Sequence, residues 1–339
     1  MTTSTTADLE EQERIFYDHI REYLISFTIL IVLYQIAYSL ISTFSRPRDE
    51  LGDDDTLVYR VSTWLCTFTL AISIGAALLL PFSLVISCLT PEWAALTSSL
   101  LCGLWNYVFL FSNMSLFVIL PFAYFFTESE GFSGSQRGIM ARLRETLVLL
   151  ILLSILVLGL TYIVCCCIGC QSLTVWQYLP FLYSCMSFIG VLLLLLCTPR
   201  GITHLFTLLA QMDTIKSRNT NYAFAMIVLL ALTLSALLLV FLNVLELLLG
   251  YKTLPMAAIT PTFEQIKILS RRGPLGASLE TVLILYLWCA SLVGLYNLPL
   301  LSCLRPRPHN TSFNGVIGNC TVLCLLSSGL LLLFAPIER

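Results

Sequence analysis

A carboxylate set among hydrocarbon side chains is the sharpest chemical feature of this sequence. Glu246 lies in the segment FLNVLELLLG, and Asn243 precedes it by one helical turn, so on a helix the two share a face. An ionised group at the centre of a bilayer costs about 2.5 to 3.5 kcal/mol on insertion scales, so such groups are usually kept for function. The pair is therefore a candidate intramembrane polar site for a proton or a cation. The competing reading is that Glu246, one to two turns from the end of its apolar run, reaches the interface or pairs with Lys252. A transporter more often carries several such groups near mid-membrane, and this sequence does not.

The run Cys165-Cys166-Cys167-Ile168-Gly169-Cys170 has the spacing of half a zinc site, without a second pair or a histidine beside it. Three readings stay open for it: disulfides on an oxidising face, palmitoylation on a cytoplasmic one, or unmodified thiols at a helix end. His19, His204 and His309 fall in different connections. Neither a GxSxG nor an HExxH motif occurs, nor a glycine loop to cradle phosphate. No enzyme activity, catalytic residue, metal or cofactor is expected.

The elements that hold these residues follow from composition. Of the 339 residues, 58% are hydrophobic and only 11% charged, against roughly 25% charged in an ordinary soluble domain. Runs long enough to cross a hydrocarbon core of about 30 Å fall near 23–44, 62–88, 100–126, 146–168, 177–198, 222–249, 277–301 and 314–335. Each must be helical, because lipid offers no partner to a free backbone group and no barrel-like alternation is present. The expected fold is an all-α polytopic bundle of about eight spans. Residues 1–22 form an extracellular segment, 23–335 the membrane region and 336–339 a short tail. The polar, acidic N-terminus lacks the features of a cleaved signal, so the first apolar run is retained. Pro81 and Pro121 fall late in their spans and mark kinks.

Within the spans, Cys66, Cys102, Cys185, Cys197, Cys289, Cys320 and Cys324 read as small hydrophobes. Asn106, Asn113, Asn297 and Asn319 read as partners in hydrogen bonds between helices. Gly75-Ala76-Ala77 and Gly190 read as sites of close helix packing.

Basic residues set the direction of the bundle. With the N-terminus outside, the inner connections hold Arg46, Arg48, Arg60, Arg137, Arg142, Arg144, Arg200, Lys216, Arg218, Arg305 and Arg307, eleven of the eighteen. The inner connection 127–145 is a candidate cytoplasmic docking loop. Thr127, Glu128, Ser129 and Glu130 open it, and Arg142 and Arg144 close it, a pattern suited to a protein partner or anionic lipid. Positive-inside anchoring alone also accounts for those arginines. On the outer side, 250–276 is the best place for an external ligand, with a short helix over 263–269, and its other reading is a plain connector. The sequons at Asn113, Asn310 and Asn319 fall within spans or inside, so no N-glycan is expected.

Four stretches carry a family resemblance: LCTFTLAISIGAALLLPFSLVIS (65–87), GLWNYVFLFSNMSLFVILPFAYFFTESEGFSGS (103–135), YLPFLYSCMSFIGVLLLLLCTP (178–199) and IGNC (317–320) after LRPRPH. Together they resemble the limb region 1 protein family, which includes the lipocalin-interacting membrane receptor. The polar insert TESEGFSGS behind an aromatic span is the most specific part. The resemblance implies a multi-pass receptor of the plasma membrane with its N-terminus outside. Its implied roles are lipocalin binding and endocytosis and the damping of Wnt signalling. A more distant relative takes part in lysosomal cobalamin export, which implies the alternative of a transporter or transport accessory for a small organic molecule. Endoplasmic reticulum or endolysosomal membrane is the alternative residence. Implied partners are the lipid bilayer, a lipocalin-type ligand, signalling or trafficking proteins and a homo-oligomer; a net charge of −2 gives no reason to expect nucleic acid. Two departures mark an apparently shortened form. The connection 200–221 is only a turn and a helix where the family has a long central segment, and the chain stops after the eighth run.

Overall fold

The computed structural model describes residues 2–45, 53–88, 91–129, 139–168, 175–215, 220–249, 274–299 and 301–334. Its elements are α1 (Thr2–Phe44), α2 (Asp53–Cys88), α3 (Pro91–Met114), a π-helical turn (Ser115–Ile119), α4 (Leu120–Glu128), α5 (Ile139–Ile168), α6 (Val175–Ile215), α7 (Thr220–Leu249), α8 (Pro274–Asn297), a 3₁₀ turn (Ser302–Leu304) and α9 (Phe313–Phe334). No strand occurs among the described residues, apart from one isolated bridge between Ser45 and Thr311. The chain is a helical membrane bundle. Among the described residues, six helices are long and apolar enough to cross a bilayer: Ile20–Phe44, Thr56–Ile86, Leu100–Glu128, Ile139–Val164, Phe181–Gln211 and Phe313–Leu330. Shorter apolar stretches lie over Phe224–Leu238 and Thr281–Asn297 among the described residues, and each of the eight overlaps one of the expected runs.

Two local departures have physical causes. The third span is not one regular helix, because the π-helical turn Ser115–Ile119 interrupts it directly before Pro121. Proline lacks an N–H and crowds the carbonyl four residues back, here that of Phe117; the wider turn relieves that crowding inside the helix. The connection 200–221 was expected as a turn and a helix, yet α6 runs unbroken through Pro199 to Ile215. At about 1.5 Å per residue its 41 residues extend some 60 Å, about twice the hydrocarbon thickness. The helix therefore continues beyond the bilayer. The expected short helix over 263–269 and the residues Glu130, Gly169 and Cys170 lie outside the described residues.

The chain divides into two units. Unit one (1–76, 96–188 and 306–328) has its core where four helical segments present small or slim side chains to one another. Ala37 and Ile41 of α1 meet Cys66, Leu70 and Ala71 of α2, with Leu116, Leu120 and Ala123 of the third span and Val316, Ile317, Cys320 and Cys324 of α9. The spacings of three and four residues place each set on one helix face. The Cys320 thiol donates a weak hydrogen bond to the Cys66 carbonyl at 3.7 Å. Cys66, Cys320 and Cys324 are all free and buried, as small hydrophobes are. In contrast, α5 exposes Ile151, Leu152, Ile155, Leu156, Leu160 and Ile163 around its circumference, as a helix solvated by lipid does.

Unit two (77–95, 189–305 and 329–339) is built on backbone contact. The turn Cys197–Gly201 of α6 lies directly against the turn Ala290–Gly294 of α8. A Cβ added at Gly201 would overlap the Ala290 carbonyl oxygen, and one at Gly294 would overlap that of Cys197. Alongside, the Thr198 and Ser291 hydroxyls hydrogen-bond at 2.8 Å. Thr233 of α7 and Tyr286 of α8 do the same at 2.8 Å, over a small core of Ala236, Leu283 and Leu287. Gly190, expected as a packing site, meets Gly329 in the same manner.

Helices with no hydrophobic drive to associate in lipid depend on such close approach for dispersion contact. Gly201→Leu and Gly294→Leu should each destabilise the protein by at least about 3 kcal/mol, since backbone and not a flexible side chain blocks the new group. Thermal unfolding in detergent checks this, with Gly159→Leu as the control, because no atom lies within 4 Å of a Cβ there. Equal melting of all three variants contradicts the backbone contact.

Candidate functional site: the polar end of unit one

Five chain ends meet at one end of unit one. Phe44 and Ser45 close α1, Tyr59 stands in the first turns of α2, Glu128 and Ser129 close α4, α5 begins at Ile139, and α9 begins at Phe313. Each leaves polar backbone groups that a helix cannot satisfy internally, and those closing α1 are met by the turn before α9. The backbone N–H groups of His309 and Thr311 donate to the carbonyl oxygens of Thr43 and Phe44 at 3.2 and 3.3 Å. The Thr311 hydroxyl accepts from the Arg307 N–H at 3.0 Å and donates to the Arg307 carbonyl at 2.9 Å, closing the turn on itself. His309 takes a left-handed φ of 55° to allow that turn. Ser45 hydrogen-bonds the Tyr59 hydroxyl, and the Tyr59 ring packs on Phe313 with centroids 4.6 Å apart.

The candidate docking residues fall within this end. The Thr127 hydroxyl donates back to the carbonyls of Ala123 and Tyr124 at 2.8 and 2.9 Å, which ties off the last turn of α4. One residue on, Asn314 donates its side-chain N–H to the Glu128 carboxylate at 2.7 Å. Ser129 leaves the helix with extended backbone, is buried, and lies 3.5 Å from the Thr146 hydroxyl. Thr146 in turn donates to the Arg142 carbonyl at 2.8 Å. Arg142 is half-buried and engaged in a further interaction, whereas Arg144 is exposed. Arg60 and Arg307 are exposed at the same end. Thr127, Glu128, Ser129 and Arg142 are thus brought together, and Arg144 flanks them. Glu130 lies outside the described residues. The sequence missed Asn314, although its place three residues before IGNC put it at a helix start, where an amide readily pairs.

Asn243 and Glu246 lie on α7, but their side chains lie outside the described residues. Two of the four asparagines expected to bridge helices bond within their own helices instead. Asn113 and Asn297 donate to the carbonyls of Phe109 and Val293 in their own helices, at 2.9 and 2.8 Å. The nearest acceptor in hydrocarbon is the carbonyl one turn back, and Thr28, Thr67, Ser73, Thr161 and Thr233 use it as well. No cluster of three histidine, cysteine or acidic side chains able to hold a metal occurs among the described residues.

Comparison with known proteins gives this arrangement a family. The model of the family described as LMBR1-like membrane protein matches residues 22–225 and 207–337. Protein LMBR1L of Mus musculus is 36% identical over 401 aligned positions, covering 95% of this chain and 81% of its own length. Limb region 1 protein homolog of Xenopus tropicalis is 37% identical, covering 94% and 81%. Limb region 1 homolog-like protein of Danio rerio is 38% identical, covering 96% and 82%. No solved structure matches. An alignment of 401 positions against a chain of 339 residues means that the mouse relative carries residues with no counterpart here. The two family matches meet and overlap at 207–225, at the short connection noted in the sequence.

The Glu128–Asn314 pair joins the polar insert to α9, so it should behave as a coupled unit. Glu128→Ala and Asn314→Ala, singly and together, should give a coupling of about 1 kcal/mol in a double-mutant cycle of thermal unfolding. Additive effects contradict the pairing.

Proposed function

The chain belongs to the LMBR1-like membrane protein family, and from that premise we propose that it is a receptor-like protein of the plasma membrane. It takes a lipocalin-type protein ligand from outside for internalisation and damps Wnt signalling through partners inside, without catalysing a reaction. The observation that carries this reading is the gathering of the TESEGFSGS start, Arg60, Arg142, Arg144 and Arg307 at one end of unit one. A basic, ordered end of that kind suits acidic segments of trafficking proteins and the anionic inner leaflet. With the N-terminus outside, that end faces the cytoplasm. The connection 250–276 then faces the ligand.

A second reading, a transporter or accessory for a small organic solute such as a cobalamin-like molecule, is favoured by the third span. Its π-helical turn interrupts the helix, and beside it the Asn113 side-chain oxygen and the Ser115 hydroxyl are buried without a hydrogen-bond partner. Interrupted helices with free polar groups are how transporters build mid-membrane sites.

Uptake of a fluorescent lipocalin by cells expressing the chain separates the two. The receptor reading expects uptake several-fold above untransfected cells. It also expects Arg142→Glu with Arg144→Glu to reduce internalisation several-fold while ligand bound at the surface stays constant. Absent ligand binding at normal surface level, together with solute transport in reconstituted vesicles that Ser115→Ala abolishes, replaces the receptor by the transporter.

A further inference from the structure

The far end of unit one holds a cavity that the receptor reading does not use. It measures about 270 Å³ and is lined by Glu22, Tyr23 and Ser26 of α1 and by Leu100, Cys102, Gly103, Asn106 and Tyr107 of α3. Residues 22 and 26, and 103 and 107, are one turn apart, so each helix contributes one face. In the sequence the apolar runs of the two helices start near residues 23 and 100, which places the cavity where the spans enter the bilayer. It lies midway along α1, some twenty residues before the polar junction at Phe44.

The lining has a definite chemical character. Glu22 brings the one formal charge among the lining residues, a half-buried carboxylate. Two phenols stand beside it, those of Tyr23 and Tyr107. Asn106 and Ser26 add an amide and a hydroxyl. Gly103 supplies open floor, for a Cβ there would meet nothing within 4 Å. Arg21 precedes Glu22 in the chain but is not part of the lining. Next to the cavity, Leu24 and Phe27 on α1 and Leu110 on α3 are exposed apolar surface leading deeper into the bilayer.

We propose that this cavity binds the ammonium head of an amphiphile, with its hydrocarbon tail lying along α1 and α3 in the membrane. A carboxylate beside phenol rings attracts a cation by charge and by the ring faces, and such a site repels sulfate or carboxylate heads. Drug-sized ligands occupy about 300 to 1,000 Å³, so this space admits a head group and leaves the tail to the lipid. The ammonium can come from a choline lipid of the outer leaflet or from a free long-chain amine. Both present the same group to Glu22 and the tyrosines.

The test uses the full chain in nanodiscs of digalactosyl diacylglycerol, a lipid without ammonium. A photoactivatable long-chain trimethylammonium probe should label peptides containing residues 20–27 and 100–107. Labelling should fall at least tenfold in Glu22→Gln, which removes the charge, and in Gly103→Leu, which fills the cavity without meeting backbone. Gly159→Leu, also in open space, should leave it unchanged. Competition by added phosphatidylcholine assigns the site to a membrane lipid, and competition by a free long-chain amine alone assigns it to a soluble amphiphile; either upholds the proposal. Equal labelling by a matched alkyl sulfate probe, competition by neither ammonium source, or unchanged labelling in either Glu22→Gln or Gly103→Leu overturns it.

Discussion

Every feature of this protein depends on the requirement that polar backbone groups be paired where no water can pair them. An unsatisfied N–H or C=O in hydrocarbon costs several kcal/mol, which leaves helices as the form these apolar runs can take. The same requirement reaches into the side chains. Thr28, Thr67, Ser73, Asn113, Thr161 and Asn297 each return a hydrogen to a carbonyl of their own helix, so a polar residue within a span need not mark a contact or a path. Where helices end, the requirement reverses, and the ends pair with one another. The junction of Thr43, Phe44, Glu128, Ser129, Thr146, Thr311 and Asn314 is the consequence.

The fold was largely legible because it is written in run length and composition. Each apolar run overlaps a helix, six of them of spanning length among the described residues, and the fourth is a helix with a largely exposed apolar surface. Cys66, Cys197, Cys320 and Cys324 were legible as core, since a thiol amid aliphatic residues has little else to do. Packing was harder to read. Gly201 and Gly294 make the tightest contact of unit two, yet Gly201 lies beyond Pro199 and read as part of a connection. The signal was present in Cys197-x-x-x-Gly201 and Ala290-x-x-x-Gly294, small residues one turn apart, but such spacing recurs in many helices that never touch. The π-helical turn was legible only as Pro121, because a proline announces crowding without saying how the helix relieves it.

The candidate site was read in half. Thr127, Glu128 and Ser129 stood out as a polar insert behind an aromatic span, and Arg142 and Arg144 as basic residues before the next. Their mutual placement depends on Asn314 and Thr146, which look ordinary in sequence. Such pairings join positions as far apart as 128 and 314, and one sequence records no distance across that gap. Family membership adds the complementary fact that relatives such as Protein LMBR1L of Mus musculus carry residues absent from this chain. The receptor reading leans on the ordered junction, which this chain carries.

That reading stands on which side of the membrane the junction faces. Glycosylation-acceptor inserts placed in turn within 127–145 and within 250–276 report this directly in cells. With the N-terminus outside, the insert in 250–276 is modified and the insert in 127–145 is not. Modification of the 127–145 insert alone would put the junction outside, exchange the ligand-facing and partner-facing surfaces, and contradict the account.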